Sequence, residues 1–127
     1  MSEYFFAYGT LKPGLAPKAI APLVEKLRPI GEGFAFGKLY DLGRYPGAVF
    51  DPASPQQIYG TVFELPDDPE ILRQLDAYEG PEYVRIKQSI ILIAGGALIC
   101  WVYDYQGKPD DERVIESGRW KERSRPV

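Results

Sequence analysis

The segment Tyr4-Phe5-Phe6-Ala7-Tyr8-Gly9-Thr10-Leu11 opens the chain with an apolar run that ends abruptly at a glycine and a hydroxyl residue. The apolar run predicts a buried β-strand that begins almost at the first residue. Gly9 and Thr10, with Pro13 and Gly14 close behind, predict a sharp turn. Glycine lets a ligand approach the backbone, and successive amide N–H groups at such a turn can form a concave site for an anion. The segment from Tyr8 to Leu11 therefore predicts either an ordinary turn or a substrate-binding loop.

Length and composition limit the classes of protein that fit the chain. Its 127 residues are close to the commonest domain size and predict one domain spanning residues 1–127. The net charge of −3, with charges of both signs interspersed, is unlike the basic surface of a nucleic-acid-binding protein. No apolar run approaches the ~20 residues that span a bilayer, and no signal peptide is visible. We therefore expect a cytoplasmic protein that binds neither nucleic acid nor membrane, as a monomer or weak homodimer.

The chain contains no histidine and a single cysteine. This composition excludes a histidine-containing metal site, a Ser-His-Asp triad and a Cys-His dyad within one chain. Cys100 lies in an apolar run and is expected to behave as a small buried hydrophobic residue. Proton transfer in an enzyme of this composition must use a carboxylate, a lysine, a tyrosine or the terminal amine.

The order of predicted strands and helices along the chain indicates an α+β domain built around a small, curled, mostly antiparallel sheet or barrel. Glycines within the second strand predict a bend or bulge. Asp68 followed by Pro69 predicts the start of a helix, and Gly80-Pro81 predicts its end. The predicted strands are Tyr4–Tyr8, Gly31–Asp41, Gln57–Leu65, Tyr83–Ala94 and Ala97–Tyr105, with a few extended residues at Ala48–Phe50, a turn at Gly43–Gly47, a hairpin turn at Gly95-Gly96, a short or broken helix at Pro17–Leu27, the helix Pro69–Glu79 and one helical turn within Asp110–Trp120.

Glu79 lies on the apolar side of the predicted helix Pro69–Glu79. At ~100° per residue, it follows Leu72 and Leu75 on the stripe that also includes Ile71 and Tyr78. Burial and the negative end of the helix dipole both disfavour a charged carboxylate and predict a raised pKa. Such a group suits a general base working near neutral pH. A glutamate at a helix end can also turn into water, or pair with Arg85 as a structural contact, and the spacing alone leaves these alternatives open.

Several of these segments together resemble the γ-glutamylcyclotransferase-like superfamily. Tyr8-Gly9-Thr10-Leu11 resembles its Tyr-Gly-Ser/Thr-Leu signature, and Leu75-Asp76-Ala77-Tyr78-Glu79-Gly80 resembles its Leu-Asp-x-x-Glu-Gly segment. The segments Leu42–Val49 and Ile115–Trp120 are similar to parts of its small bacterial members. The ordered set, which runs from one end of the chain to the other, is fairly specific, although each motif alone is weak.

The resemblance implies a small mixed β-barrel with flanking helices and a reaction that requires no metal or organic cofactor. In that reaction the α-amine of a γ-glutamyl compound attacks its own γ-carbonyl, releasing 5-oxoproline and a free amine. The family's catalytic glutamate corresponds to Glu79, and its substrate-binding loop to Tyr8, Gly9, Thr10 and Leu11. Arg44, Tyr83 and Arg85 are further candidates for contact with a substrate carboxylate or with Glu79. A role in a turn or at the surface fits these three residues equally well.

Two other functions fit the same sequence. The domain could bind a small acidic metabolite without converting it. Alternatively, the apolar hairpin at residues 83–105 could pair with another chain, in which case no open cavity is expected beside Glu79.

Overall fold

The computed structural model describes residues 2–9 and 21–120. Within these ranges the chain forms six strands, two α-helices and one 3₁₀ turn. In chain order they are β1 (Tyr4–Ala7), α1 (Ala21–Val24), β2 (Arg28–Asp41), β3 (Pro46–Phe50), β4 (Gln57–Glu64), α2 (Pro69–Glu79), β5 (Tyr83–Leu92), β6 (Ala97–Tyr105) and the 3₁₀ turn Asp111–Arg113.

Five of the strands close into a barrel. The pairing runs β2-β4-β1-β6-β5 and returns to β2 through two residue pairs, while β3 pairs with β2 outside the ring. The β1–β6 pair is parallel and every other pair is antiparallel. The predicted α+β fold, a small, mixed and mostly antiparallel barrel with flanking helices, is confirmed.

Strand β2 spans 14 residues and bends along its length. It pairs with β3, β4 and β5. The register against β4 shifts between Pro29 and Gly31, which is the predicted bulge. At Gly37, with φ +151°, an added Cβ would meet the backbone of β3. Gly33 lies where β2 meets β5 to close the ring, and an added Cβ there would meet Ile90 and Ile91 of β5.

Helix α2 begins and ends where the sequence predicts. Asp68 caps it by accepting a hydrogen bond from the Glu70 backbone N–H at 3.0 Å, and Pro69 occupies the first turn. Gly80, at φ +86°, ends it and donates its N–H to the Asp76 carbonyl at 3.1 Å. Ile71 and Leu75 are buried on the barrel. Their core cluster includes Phe5 of β1, Phe63 of β4 and Tyr103 of β6, and this packing fixes the helix over one end of β1.

Several predictions differ in detail from the structure. Strand β2 begins three residues earlier than predicted, at Arg28, and β3 begins at Pro46, inside the predicted turn. Strands β1 and β4 each end one residue early. Tyr78 is 36% exposed rather than part of the buried stripe. Strand β5 ends at Leu92, two residues early, because the hairpin turn starts there: Leu92 donates its N–H to the Gly96 carbonyl at 2.9 Å and accepts from the Gly95 N–H at 3.0 Å. Only residues 21–27 of the predicted first helix are described, and α1 covers Ala21–Val24 within them. No helix within residues 2–9 and 21–120 combines the length and the apolar character needed to cross a membrane.

Candidate active site

Glu79 lies at the last position of α2, beside the end of β1. A cavity of about 250 Å³ opens between them. This volume is slightly below the ~300–1,000 Å³ of sites for drug-sized ligands, and therefore suits a molecule of amino-acid size. The walls come from β1 and its end, the turn before β3, the end of α2, the start of β5 and one residue of β6; the lining residues are Phe5, Phe6, Ala7, Tyr8, Gly9, Tyr45, Pro46, Tyr78, Glu79, Glu82, Tyr83 and Tyr103.

The carboxyl group of Glu79 is partly buried in this cavity. Burial raises its pKa from 4.5 to about 7, because a charged carboxylate loses hydration there. The negative end of the helix dipole acts in the same direction. At neutral pH, Glu79 is therefore divided between a form that can accept a proton and a form that can return one.

Tyr8 and Tyr83 also line the cavity, and their hydroxyl groups are held by the protein. Tyr8 donates to the Tyr103 carbonyl at 2.7 Å, and Tyr83 donates to the Pro46 carbonyl at 2.7 Å. Burial, and then the nearby charge of Glu79, raise the pKa of both phenols. Both tyrosines therefore stay neutral near pH 7 and shape the cavity without serving as bases.

Arg85 does not pair with Glu79, so that structural alternative is wrong. Its guanidinium binds both oxygens of Asp76, at 2.8 and 3.1 Å, and lies 4.4 Å from the centroid of the Trp101 ring. Asp76 also accepts a hydrogen bond from the Tyr103 hydroxyl at 2.7 Å. Arg85 is absent from the cavity lining and instead joins α2 to the barrel wall.

The other predicted site residues occupy different positions. Gly9 is buried on the cavity wall, where an added Cβ would meet the Pro46 ring at 2.7 Å. Arg44 is exposed and is not among the lining residues. Thr10 and Leu11 lie outside the described residues.

Sequence reasoning missed part of the cavity wall. Tyr45, Pro46, Glu82 and Tyr103 all line it. Tyr45 and Pro46 belong to the predicted turn at Gly43–Gly47, and Tyr103 belongs to a predicted strand, but no pattern in either segment distinguishes a cavity-lining side chain. The Tyr45 hydroxyl donates to Glu82 at 3.3 Å at the rim of the cavity.

Two other candidate groups, the Cys100 thiol and a metal site, add nothing to this cavity in the part of the chain that the structure describes. Cys100 is 1% exposed in a separate core cluster, and burial raises its pKa to about 12, so its thiol is inert. Residues 2–9 and 21–120 contain no group of three or more Cys, Asp or Glu residues placed to hold a metal ion.

Comparisons with known proteins identify the family of this chain. The sequence profile of the family described as "Gamma-glutamyl cyclotransferase, AIG2-like" matches residues 5–122. The gamma-glutamylcyclotransferase family protein YtfP of Escherichia coli K12 is 40% identical over 90 residues, which cover 69% of this chain and 71% of that protein. A Vibrio cholerae protein, "Putative gamma-glutamylcyclotransferase", is 31% identical over 123 residues, or 97% of this chain and 99% of its own.

Solved structures add the fold. An aig2-like protein from Mus musculus superposes with a TM-score of 0.77 at 21% identity, over 94% of this chain and 88% of that one. The chain belongs to the gamma-glutamyl cyclotransferase, AIG2-like family. The predicted resemblance and the predicted enzyme class are thereby confirmed.

Proposed function

We propose that the protein converts a γ-glutamyl amine, amino acid or peptide into 5-oxoproline and a free amine, with Glu79 as the general base. The observation that carries the proposal is the position of Glu79: a carboxyl group with a pKa of about 7 lines the same small cavity as Tyr8 and Gly9. A base with that pKa can accept a proton at physiological pH and can return it later in the reaction.

The reaction requires few groups from the protein. The substrate's α-ammonium group gives a proton to Glu79, and the resulting amine attacks the γ-carbonyl carbon. A C–N bond forms and the carbonyl oxygen becomes an oxyanion. Glu79 then gives its proton to the leaving nitrogen, the carbonyl re-forms as the bond to that nitrogen breaks, and the ring nitrogen releases its second proton to the departing amine, which leaves as an ammonium ion. No electrons are transferred to another molecule, so the proposal includes no cofactor.

The cavity favours the ring closure through its shape. Both reacting groups belong to one molecule, so holding its chain folded back on itself supplies most of the required orientation. The wall formed by Tyr83, Pro46 and Gly9 is fixed by a hydrogen bond and a close backbone approach. In our proposal, backbone N–H groups of the segment Tyr8–Leu11 stabilise the oxyanion or bind the α-carboxylate. One oxyanion donor typically contributes a factor of about 10²–10³ in rate.

The test is a screen of γ-glutamyl compounds for 5-oxoproline release by the wild-type protein, Glu79→Gln and Glu82→Gln. Glu82 is the matched control because its carboxyl group lies on the same cavity at the exposed rim. We expect release by the wild type and by Glu82→Gln, and a loss of at least about 10²-fold in Glu79→Gln with substrate binding retained. Binding without release by the wild type would instead identify a metabolite-binding protein, and loss confined to Glu82→Gln would place the base at the rim.

A further inference from the structure

Three of the five tyrosines that line the cavity beside Glu79 each donate the hydroxyl hydrogen bond to a group other than Glu79. The acceptors are two backbone carbonyls and one carboxylate. The three pairs are Tyr8 to the Tyr103 carbonyl, Tyr83 to the Pro46 carbonyl and Tyr103 to Asp76, each at 2.7 Å. Across residues 2–9 and 21–120, no hydrogen bond is formed to the Glu79 carboxyl, and burial raises its pKa.

Among these three hydroxyl groups, only that of Tyr103 has a side chain as its acceptor. That acceptor, Asp76, lies three residues before Glu79 on the same helix. Side chains three positions apart on a helix are neighbours, with ~5–6 Å between their Cβ atoms. The charge of Glu79 contributes to the raised pKa of Tyr103, after burial and Asp76. Because Tyr103 and Glu79 line the same cavity, we expect Glu79 to be the acceptor that this hydroxyl reaches if Asp76 is removed.

Arg85 keeps the Asp76 carboxyl group ionised, and the ionised group accepts the hydrogen bond from Tyr103. Although burial alone would raise the pKa of Asp76, the hydrogen bonds from Arg85 and Tyr103 hold it below its usual range. The guanidinium contacts both carboxylate oxygens, a two-point geometry that fixes the orientation of the carboxylate. Asp76 thus stays ionised and oriented toward Tyr103 at neutral pH.

We propose that Asp76 is a positioning residue for Glu79: it holds the Tyr103 hydroxyl away from the Glu79 carboxyl and leaves that carboxyl free to accept a proton from the substrate. The inference rests on the proposed function, in which Glu79 is the base. A hydroxyl that donates to the charged form of a carboxylate makes it a weaker base. The titratable groups on or near the cavity come from five parts of the chain. Asp76 and Tyr78 lie on α2, and Arg85 of β5 packs against that helix. The others are Tyr8 at the end of β1, Tyr45 before β3, Glu82 and Tyr83 at the start of β5, and Tyr103 on β6.

The test measures the protonation of Glu79 directly, without turnover. Protein labelled with ¹³C at the glutamate carboxyl carbons is titrated by NMR, and Glu79→Gln assigns the resonance. The variants are Asp76→Ala, Tyr103→Phe and the double variant with both substitutions. We expect the midpoint for Glu79 to fall by on the order of one pH unit in Asp76→Ala, because a hydrogen bond to the charged form now stabilises it.

The double variant separates the hydroxyl from the released charge of Arg85. If the Tyr103 hydroxyl causes the shift, the double variant returns the midpoint to within about 0.3 units of that in Tyr103→Phe. If Arg85 causes it, the shift persists in the double variant and the proposal is overturned; an unchanged midpoint in Asp76→Ala overturns it as well. Asp76→Ser, with a side chain too short to reach Tyr103, repeats the comparison if Asp76→Ala does not fold.

The conservative variant Asp76→Asn tests whether an acceptor at position 76 restores the titration midpoint of Glu79. Its amide oxygen can still accept from Tyr103, so its midpoint is expected between those of the wild type and Asp76→Ala. Because the titration needs no substrate, it also separates the two proposals. Absence of 5-oxoproline release would overturn the proposed function, whereas the titration decides the role of Asp76 in either case.

Discussion

Replacing Glu79 with glutamine is expected to stabilise the folded protein, and to do so only at the higher end of the pH range. Burial raises the pKa of Glu79 from 4.5 to about 7, and each unit of difference between folded and unfolded states corresponds to ~1.4 kcal/mol. A raised carboxyl pKa means that the folded state binds the proton more tightly, so ionisation costs stability in the folded protein. The cost is absent below pH ~4.5, grows as the pH rises to 7 and is then constant at about 3 kcal/mol.

Glu79→Gln removes this cost while keeping a side chain of nearly the same shape. We therefore expect the variant to exceed the wild type by about 2–3 kcal/mol in free energy of unfolding at pH 8, or roughly 10 °C in Tm, and by almost nothing at pH 4. Chemical denaturation at both pH values measures the difference. Glu116→Gln controls for the change in net charge, since Glu116 is exposed and outside the cavity lining. Equal stability of Glu79→Gln and wild type at pH 8 would refute the reasoning, because an ionised Glu79 would then cost the fold nothing.

Three further substitutions test the contacts that position the site. Asp68→Ala removes the side-chain cap of α2 and should lower the free energy of unfolding by about 1 kcal/mol in urea denaturation; an unchanged value would mean that the cap adds nothing to the helix that carries Glu79. Gly9→Ala places a methyl group against the Pro46 ring and, by displacing the cavity wall, should lower kcat/KM for 5-oxoproline release about tenfold, whereas wild-type kinetics would show that the wall adjusts freely. Tyr83→Phe leaves the Pro46 carbonyl without its donor and should cost about 0.5–1.5 kcal/mol of stability, and a stabilised variant would contradict that contact.

The helix that carries Glu79 was predictable from sequence because local signals determine it. The cap at Asp68, Pro69 in the first turn and the positive φ of Gly80 all act within a few residues of the helix ends. The apolar stripe through Ile71 and Leu75 then determines which side faces the barrel. Glu79 lies four residues after Leu75, so the same orientation of the helix places Glu79 toward the barrel.

The contacts around the helix end were not predictable in the same way. Arg85 meets Asp76 rather than Glu79 because α2 and β5 approach each other in three dimensions, and helical spacing does not specify that approach. Tyr103 reaches Asp76 from β6, whose register against β5 is set by a long antiparallel pairing. The closure of the barrel was likewise not predictable, because β2 and β5 pair through residues that are far apart in the chain.

The most direct measurement of the central claim compares two midpoints. One is the ¹³C titration midpoint of the Glu79 carboxyl in the free protein. The other is the midpoint of the rise in kcat/KM for 5-oxoproline release with increasing pH. If Glu79 must be ionised to accept the substrate's proton, kcat/KM rises with pH through the same midpoint, near 7, and Glu79→Gln abolishes the release. A carboxyl midpoint near 4.5, or release that persists in Glu79→Gln, would contradict the assignment of Glu79 as the base.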